Sequence, residues 1–304
     1  EKSFRAKQLY DWMHVKLAEG FDDMSSLSKE LRQKLKEQYR LTCLKMVEER
    51  ISQVDGTRKY LFGLEDGHVI ESVWMQYRHG NSVCISSQVG CRMGCRFCAS
   101  TLDGLERNLR PSEMLEQVYR IQSITGERVS NVVVMGSGEP MDNYDNVIRF
   151  LRLISHDKGL NISQRNLTIS TCGIVPGIQK FAQEGMAVTL ALSLHAPNDE
   201  VRKTLMPIAN SYQLQDVLEA CRYYYETTGR RLTFEYSLVR GVNDNLDEAR
   251  ALAKLIKDQH GHVNLIPVNP IKERDYVQSG QKAIQDFKNL LEKNGINVTI
   301  RREM

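Results

Sequence analysis

The sequence predicts an α/β chain in which a partial (β/α)6 barrel follows a small N-terminal helical unit and a β-meander. Three observations lead there. From about residue 82 onward, strand-like and helix-like stretches alternate through six units, which predicts a parallel sheet with right-handed crossovers. The run 131–135 is dominated by valine, as suits a parallel strand buried on both faces. Earlier, Asp55-Gly56 and Asp66-Gly67 divide the chain into three short strands, and Asp-Gly is a strong hairpin signal. Six units fall short of a closed eightfold barrel. An open barrel is therefore expected, with a doubly wound sheet as the alternative.

The elements follow in order. Residues 1–42 read as the helical accessory unit. Leu9, Trp12, Met13 and Leu17 recur at helical spacing, and Leu27, Leu31 and Leu35 do so after a loop at 20–25. Residues 43–81 read as the meander, with strands expected at 45–53, 58–64 and 68–77. Residues 82–304 read as the core. Its strands are expected near 83–86, 131–135, 167–170, 187–194, 232–238, 263–267 and 298–300. Its helices are expected over 112–123, 144–155, 175–183, 214–227, 246–259 and 283–293. Pro111 stands just before the first of these, where a proline is tolerated.

Composition narrows the class. Of the 304 residues, 41% are hydrophobic, enough for a sizeable core and against global disorder. A net charge of +3 permits a polyanionic partner without requiring one. There is no apolar run of about 18 residues, so no transmembrane helix is expected. No signal peptide is read at Glu1, and the expected compartment is the cytoplasm. Three of the 7 cysteines are clustered, which does not suit a secreted disulfide framework and points to metal or redox chemistry.

The most informative stretch is Ser86-Ser-Gln-Val-Gly-Cys91-Arg-Met-Gly-Cys95-Arg-Phe-Cys98. Thiolates hold iron–sulfur clusters, normally four to a cluster. Three on one loop hold three irons of a four-iron cluster and leave the fourth open to a ligand. Gly90 and Gly94 let the loop wrap closely, and Phe97 can shield one side from water. A zinc knuckle is the competing reading; it wants a fourth ligand, for which Cys84 is the candidate.

In parallel βα folds, chemistry gathers at the C-terminal ends of the strands. Cys91–Cys98, the turn Gly136-Ser137-Gly138-Glu139, Ser170, Ser193 with His195, and Asn269 all fall there. The glycine-rich turn offers carbonyls and the Glu139 carboxylate to an ammonium group. Arg92, Arg96, Arg107 and Arg110 near the cysteines, and Arg165, Arg202 and Lys203 in other rim loops, are candidates for phosphate contact, each set against ordinary surface solvation. Tyr223-Tyr-Tyr225 reads as helix packing.

With these residues in view, CxxxCxxC after the first strand of a βα barrel resembles the radical S-adenosylmethionine superfamily. Cys84-Ile-Ser-Ser-Gln-Val-Gly-Cys91, Phe97-Cys98-Ala-Ser, Gly136-Ser-Gly-Glu139-Pro, Ser170-Thr-Cys-Gly, Ser193-Leu-His195 and Leu205-Met-Pro207 resemble the RlmN/Cfr family of RNA adenine methyltransferases over essentially the whole chain. The resemblance implies a radical S-adenosylmethionine barrel and a (4Fe-4S) cluster on Cys91, Cys95 and Cys98. It implies S-adenosyl-L-methionine bound by Gly138, Glu139, Ser170, Ser193, Leu194, His195 and Asn269. The family usually has a larger residue where Ser137 stands. The resemblance assigns Glu71 as proton acceptor and Cys84 as the resolving thiol. It further implies ribosomal RNA and tRNA as partners, an external electron donor of the flavodoxin type, no membrane, and a monomer.

The family scheme uses two S-adenosyl-L-methionine molecules per turnover. One methylates a C-terminal cysteine; the other is cleaved reductively to a radical that takes hydrogen from that methylated cysteine. The resulting carbon radical adds to adenine, Glu71 removes the C2 proton, and Cys84 releases the product by forming a disulfide. The methyl-carrying cysteine follows a stretch that would begin at Arg301-Arg-Glu-Met304, and Cys43, Cys172 and Cys221 do not match it. The tail is therefore expected to continue past Met304. Phe97-Cys-Ala-Ser-Thr-Leu-Asp-Gly-Leu and His195-Ala-Pro-Asn favour methylation at C2 over the Cfr-like C8 reaction that confers antibiotic resistance. A non-catalytic, metal-bearing RNA-binding protein is the third reading.

Overall fold

The computed structural model describes residues 3–78 and 80–301. Arg302–Met304, where the family's tail stretch would begin, lie outside the described residues. In chain order the elements are α1 (Ser3–His14), α2 (Lys29–Gln38), β1 (Lys45–Ile51), β2 (Arg58–Gly63), β3 (Val69–Tyr77), β4 (Gly80–Ile85), β5 (Gln88–Gly90) and β6 (Leu105–Asn108). Then come α3 (Pro111–Thr125), β7 (Val129–Val134), α4 (Tyr144–Ile154), β8 (Leu167–Thr171), α5 (Val175–Ala182), β9 (Thr189–Ser193) and α6 (Asp199–Leu205). The chain closes with α7 (Leu214–Thr228), β10 (Leu232–Leu238), α8 (Leu246–Ile256), β11 (Gly261–Pro267), α9 (Gln281–Lys293) and β12 (Val298–Ile300). Two compact units divide it.

The first unit holds the residues up to Val89 together with Asn108–Gly136 and Asp145–Leu167. Its accessory helices close over Phe21, Met24 and Leu27, with Leu9, Trp12, Met13, Leu31 and Leu35 packed against them. Ser28 caps α2 by accepting the Leu31 amide at 3.3 Å, satisfying one orphan donor of the first turn. Leu17 does not continue α1 as its spacing suggested, since the helix stops at His14 and Leu17 adopts a φ of 55°. The sheet is mixed. Strands β1 to β4 run antiparallel to their neighbours, and β4 then pairs in parallel with β7. Gln117 of α3 braces the end of β4: its Oε1 accepts from Ser72 Oγ and from the Ser86 amide, both at 2.8 Å, while its Nε2 donates to the Ser86 carbonyl at 3.0 Å.

The second unit holds Gly90–Arg107, Ser137–Tyr144 and the chain from Thr168 onward. Its strands are all parallel, in the order β8-β9-β10-β11-β12, as the strand–helix alternation predicts. Their register sorts the side chains onto two faces. One face carries Ile169, Leu190, Leu192, Phe234, Tyr236, Val263 and Leu265, all buried. Helices cover it: Tyr236 packs on Phe287 of α9 at 5.3 Å, and Tyr224 of α7 donates to the Val188 carbonyl at 2.8 Å. The other face carries Ser170, Ser193, Thr233, Glu235, Asn264 and Thr299. A parallel sheet with one polar inner face has a place for polar chemistry.

Glu235 is a buried ionisable group on that face. Asn264 Nδ2 donates to its Oε2 at 2.8 Å, yet burial dominates and pushes its pKa up to about 7. The folded chain therefore holds this proton more tightly than the unfolded one, where the carboxyl has its ordinary value. Its contribution to stability is complete below the ordinary carboxylate range and is lost as pH rises toward 7. Urea melts at pH 5 and pH 8 test this. Glu235→Gln abolishes this part of the decline, a difference on the order of 2 kcal/mol between the two proteins at pH 8.

Candidate active site

The cysteine loop sits between β5 and β6 and is shaped by the protein's own hydrogen bonds. The Cys91 amide donates to the Gly104 carbonyl at 2.8 Å, and the Arg96 amide to the Leu205 carbonyl at 2.9 Å. Thr101 Oγ1 donates to the carbonyls of Cys95 and Cys98 at 3.0 and 2.9 Å. Gly90 has a φ of +71°, and a Cβ there would stand 2.0 Å from the Gly104 oxygen, so only glycine lets the loop turn back on itself here. Pro207 packs against Gly94, while Met93, Cys95 and Phe97 pack on a cluster of Cys172, Leu205, Met206, Val239 and Val268. This explains Leu205-Met-Pro207: it is the floor on which the loop rests.

Helix α6, which leads into that floor, is absent from the sequence-based expectation. Asn198 caps it by accepting the Val201 amide at 2.8 Å. The helix also corrects the expectation that Arg202 lies in a rim loop ready for phosphate. Arg202 is 0% exposed and cannot reach a polyanion. Arg92 is exposed and pairs with Asp142 at 2.8 Å. In Tyr223-Tyr-Tyr225 only Tyr224 is buried; Tyr225 stacks on His260 at 4.3 Å.

The donor set fits an iron–sulfur cluster. Cys91, Cys95 and Cys98 lie within electrostatic reach of one another. Burial, before the neighbouring negative charges, pushes the Cys91 thiol up to about 11 and Cys95 higher still. Such thiols surrender their protons to a metal rather than to water. Among the described residues, no three His, Cys, Asp or Glu side chains gather around a single ion position. The thiolates of a four-iron cluster each take a different iron, so they stand wider apart than the ligands of one zinc.

Glu139 is 3% exposed and turns both oxygens on the backbone. Oε1 accepts the Met141 amide at 3.0 Å and Oε2 accepts the Cys172 amide at 2.7 Å, tying the turn after β7 to the end of β8. Burial raises its pKa despite these bonds. Gly136 belongs to first-unit packing: a Cβ there would lie 2.7 Å from Ser86 Oγ and 2.9 Å from the Ile85 backbone. Gly138 has a φ of 105°.

Beyond β9 the chain turns sharply. The Leu194 and His195 amides both donate to the Glu235 carbonyl, at 3.0 and 3.2 Å. His195 has a φ of 56°, costly for a non-glycine residue, and persists because its surroundings over-determine it. Its Nδ1 accepts the Ser237 amide at 2.9 Å, which puts the ring proton on Nε2. Burial pushes its pKa down to about 3, so the ring stays neutral. Phe97 meets it edge-on at 4.7 Å. Asn243, buried and unremarked in the sequence, holds the turn: Nδ2 donates to the His195 and Ser237 carbonyls at 2.7 Å each, and Oδ1 accepts the Val239 amide at 2.8 Å. Asn243→Ala strands three buried backbone groups and is expected to cost about 2–4 kcal/mol in chemical denaturation.

The second unit thus brings together Cys91, Cys95, Cys98, Glu139, Ser170, Ser193, Leu194 and His195. Asn269 is exposed just past β11. Glu71 and Cys84 belong to the first unit. The register Val73↔Cys84 puts them on one face of adjacent strands, and it extends the alternation to Ser86, whose Oγ donates to the Glu71 carbonyl at 2.7 Å. Glu71 is half-exposed, with Lys59 Nζ at 2.9 Å. Cys84 is a half-buried thiol.

The chain is similar to known proteins over its whole length. The Radical SAM superfamily model matches residues 85–256, and the ribosomal RNA large subunit methyltransferase N-terminal domain model matches residues 1–41. A probable dual-specificity RNA methyltransferase RlmN from Lachnoclostridium phytofermentans is 67% identical over the whole chain, covering 85% of that protein. One from Lachnospira eligens is 66% identical, with 87% of it covered. A radical SAM methyltransferase from Sphaerobacter thermophilus superposes with a TM-score of 0.94 at 42% identity, over 98% of this chain and 88% of that one.

Proposed function

The chain belongs to the RlmN family of radical S-adenosylmethionine RNA methyltransferases, and from that premise we propose that it methylates C2 of adenosine in large-subunit ribosomal RNA, in the peptidyl transferase region, and in tRNA next to the anticodon. The observation that carries the reading is the braced loop, which presents three thiols beside buried Glu139 and His195. Adenine C2–H is neither acidic nor easily displaced, so polar transfer from a sulfonium fails there and radical chemistry is required.

Cys91, Cys95 and Cys98 would hold a (4Fe-4S) cluster, which when bound would supply the electron for reductive cleavage of S-adenosyl-L-methionine. Glu139 and the Gly138 turn receive the methionyl ammonium. Ser170, Ser193, Leu194, His195 and Asn269 line the rest of the ligand, with His195 offering its Nε2–H. Glu71 accepts the C2 proton, and Lys59 holds its carboxylate on the strand. Cys84 closes the cycle as the resolving thiol, and the shared face of Glu71 and Cys84 supports that pairing of roles. Electrons come from an external flavodoxin-type donor, and the enzyme acts in the cytoplasm. Among the described residues, no helix is long and apolar enough to cross a membrane.

The test is anaerobic reconstitution of the full-length protein, reduction with S-adenosyl-L-methionine and RNA, and mass analysis of the nucleosides. The expected product is 2-methyladenosine with release of deoxyadenosine. An 8-methyl product sinks the C2 assignment, and no deoxyadenosine sinks the radical one.

A further inference from the structure

Arg202 is the largest fully buried side chain among the described residues. From α6 its Nη2 donates to the Cys172 carbonyl at 2.7 Å and its Nε to the Leu194 carbonyl at 3.3 Å. Nη1 is buried with no hydrogen-bond partner among the described residues. Both acceptors are neutral. Asp199 is an electrostatic neighbour, but its Oδ1 accepts the Leu214 amide at 2.9 Å instead. Its other electrostatic neighbours, Cys172, Cys95 and Cys221, are thiols that burial holds protonated and therefore uncharged. Gly173 keeps the space clear, since a Cβ there would lie 3.2 Å from Nη2.

Arginine does not shed its charge, and burying it without a hydrogen-bonded anion is costly. Two carbonyl bonds account for a structural clamp but not for a permanent cation. A neutral glutamine could serve carbonyls; a guanidinium calls for negative charge nearby. Cys95 packs on the hydrophobic cluster that contains Cys172, whose carbonyl Arg202 holds, and its thiol becomes anionic when it binds iron.

We infer that Arg202 is the built-in countercharge of the iron–sulfur cluster, a positioning residue that makes the cluster easier to reduce. This rests on the cluster assignment of Cys91, Cys95 and Cys98. In the step concerned, one electron passes from the external donor to the cluster. The donor is oxidised and the cluster reduced, while no bond forms or breaks and no proton moves. Reduction makes the cluster one unit more negative, so a fixed cation alongside favours the reduced form, and net charge is one of the determinants of such potentials.

The experiment is a redox titration of the reconstituted cluster, followed by electron paramagnetic resonance, in the wild type, Arg202→Gln and Arg202→Lys. The Gln variant keeps donors for the carbonyls and removes the charge. Its equilibrium constant for one-electron reduction is expected to fall about tenfold, which is about 59 mV for one electron. The Lys variant keeps the charge and loses the forked geometry; its constant is expected within about threefold of the wild type. A Gln variant with the wild-type potential overturns the inference, as does an equal shift in both variants, which marks a clamp alone. Should the Gln variant fail to fold, Lys decides by itself: a small shift supports the countercharge and a tenfold fall overturns it. A wild-type chain that assembles no cluster fails the underlying assignment, and the inference with it.

Discussion

Cys95→Ala is expected to leave a folded chain that retains neither four irons nor the cluster's visible absorbance and releases no deoxyadenosine above background. The fold survives because the loop is held by the Arg96 amide on Leu205, by Thr101 on two carbonyls and by the Cys91 amide on Gly104, none of which uses the Cys95 sulfur. Only the ligand is lost. Removing an outer partner of a metal ligand typically costs roughly 10–100-fold in affinity or activity, and removing the ligand itself exceeds that. Iron analysis and the yield of deoxyadenosine give the measurement. Cys43→Ser is the control: Cys43 lies in the first unit, just before β1, and its loss leaves iron content unchanged.

Glu139→Ala carries the second large effect, with two separable parts. Without the carboxylate, the buried amides of Met141 and Cys172 lose their acceptor, and each stranded donor costs about 1–3 kcal/mol. A loss of about 2–5 kcal/mol in chemical denaturation follows. Glu139→Gln divides the cost. Its carbonyl still accepts one amide, but its NH2 confronts the other, so the fold loses less. A ligand ammonium, however, meets a neutral oxygen in place of a carboxylate, and charge-assisted hydrogen bonds are roughly twice as strong as neutral ones. The Gln variant is therefore expected to stay folded and bind S-adenosyl-L-methionine at least tenfold more weakly, as read by equilibrium dialysis. Wild-type binding in a stable Gln variant would confine Glu139 to a structural role.

How much of this is legible in the sequence depends on where each signal lives. The parallel strands are legible because short apolar, valine-rich runs alternate with helical stretches, and the meander because Asp-Gly marks its turns. The cysteine loop is legible because its three thiols are close in sequence. Helix α6 is not. It is seven residues long with only two apolar positions, and its helicity comes from the Asn198 cap and from packing under the cysteine loop. Arg202 reads as solvated in so polar a segment; its burial depends on β8 and β9, which arrive from elsewhere in the chain. Asn243 reaches His195 across a long stretch of sequence, and nothing local marks it. Glu235 does leave a trace: it is a single carboxylate within Leu232-Thr-Phe-Glu-Tyr-Ser-Leu238, on the parity of Thr233 and Ser237 rather than of the apolar residues.

The hydrogen bonds that shape the cysteine loop belong to the protein: the Cys91 amide on Gly104, the Arg96 amide on Leu205 and Thr101 on the carbonyls of Cys95 and Cys98. Small zinc domains draw their fold from the metal itself, so for them losing one ligand and losing the fold are one event. In this chain the thiols are not the loop's sole restraint, so a ligand substitution and a fold-breaking substitution nearby are distinguishable by measurement: the first lowers iron content at an unchanged denaturation midpoint, the second lowers both.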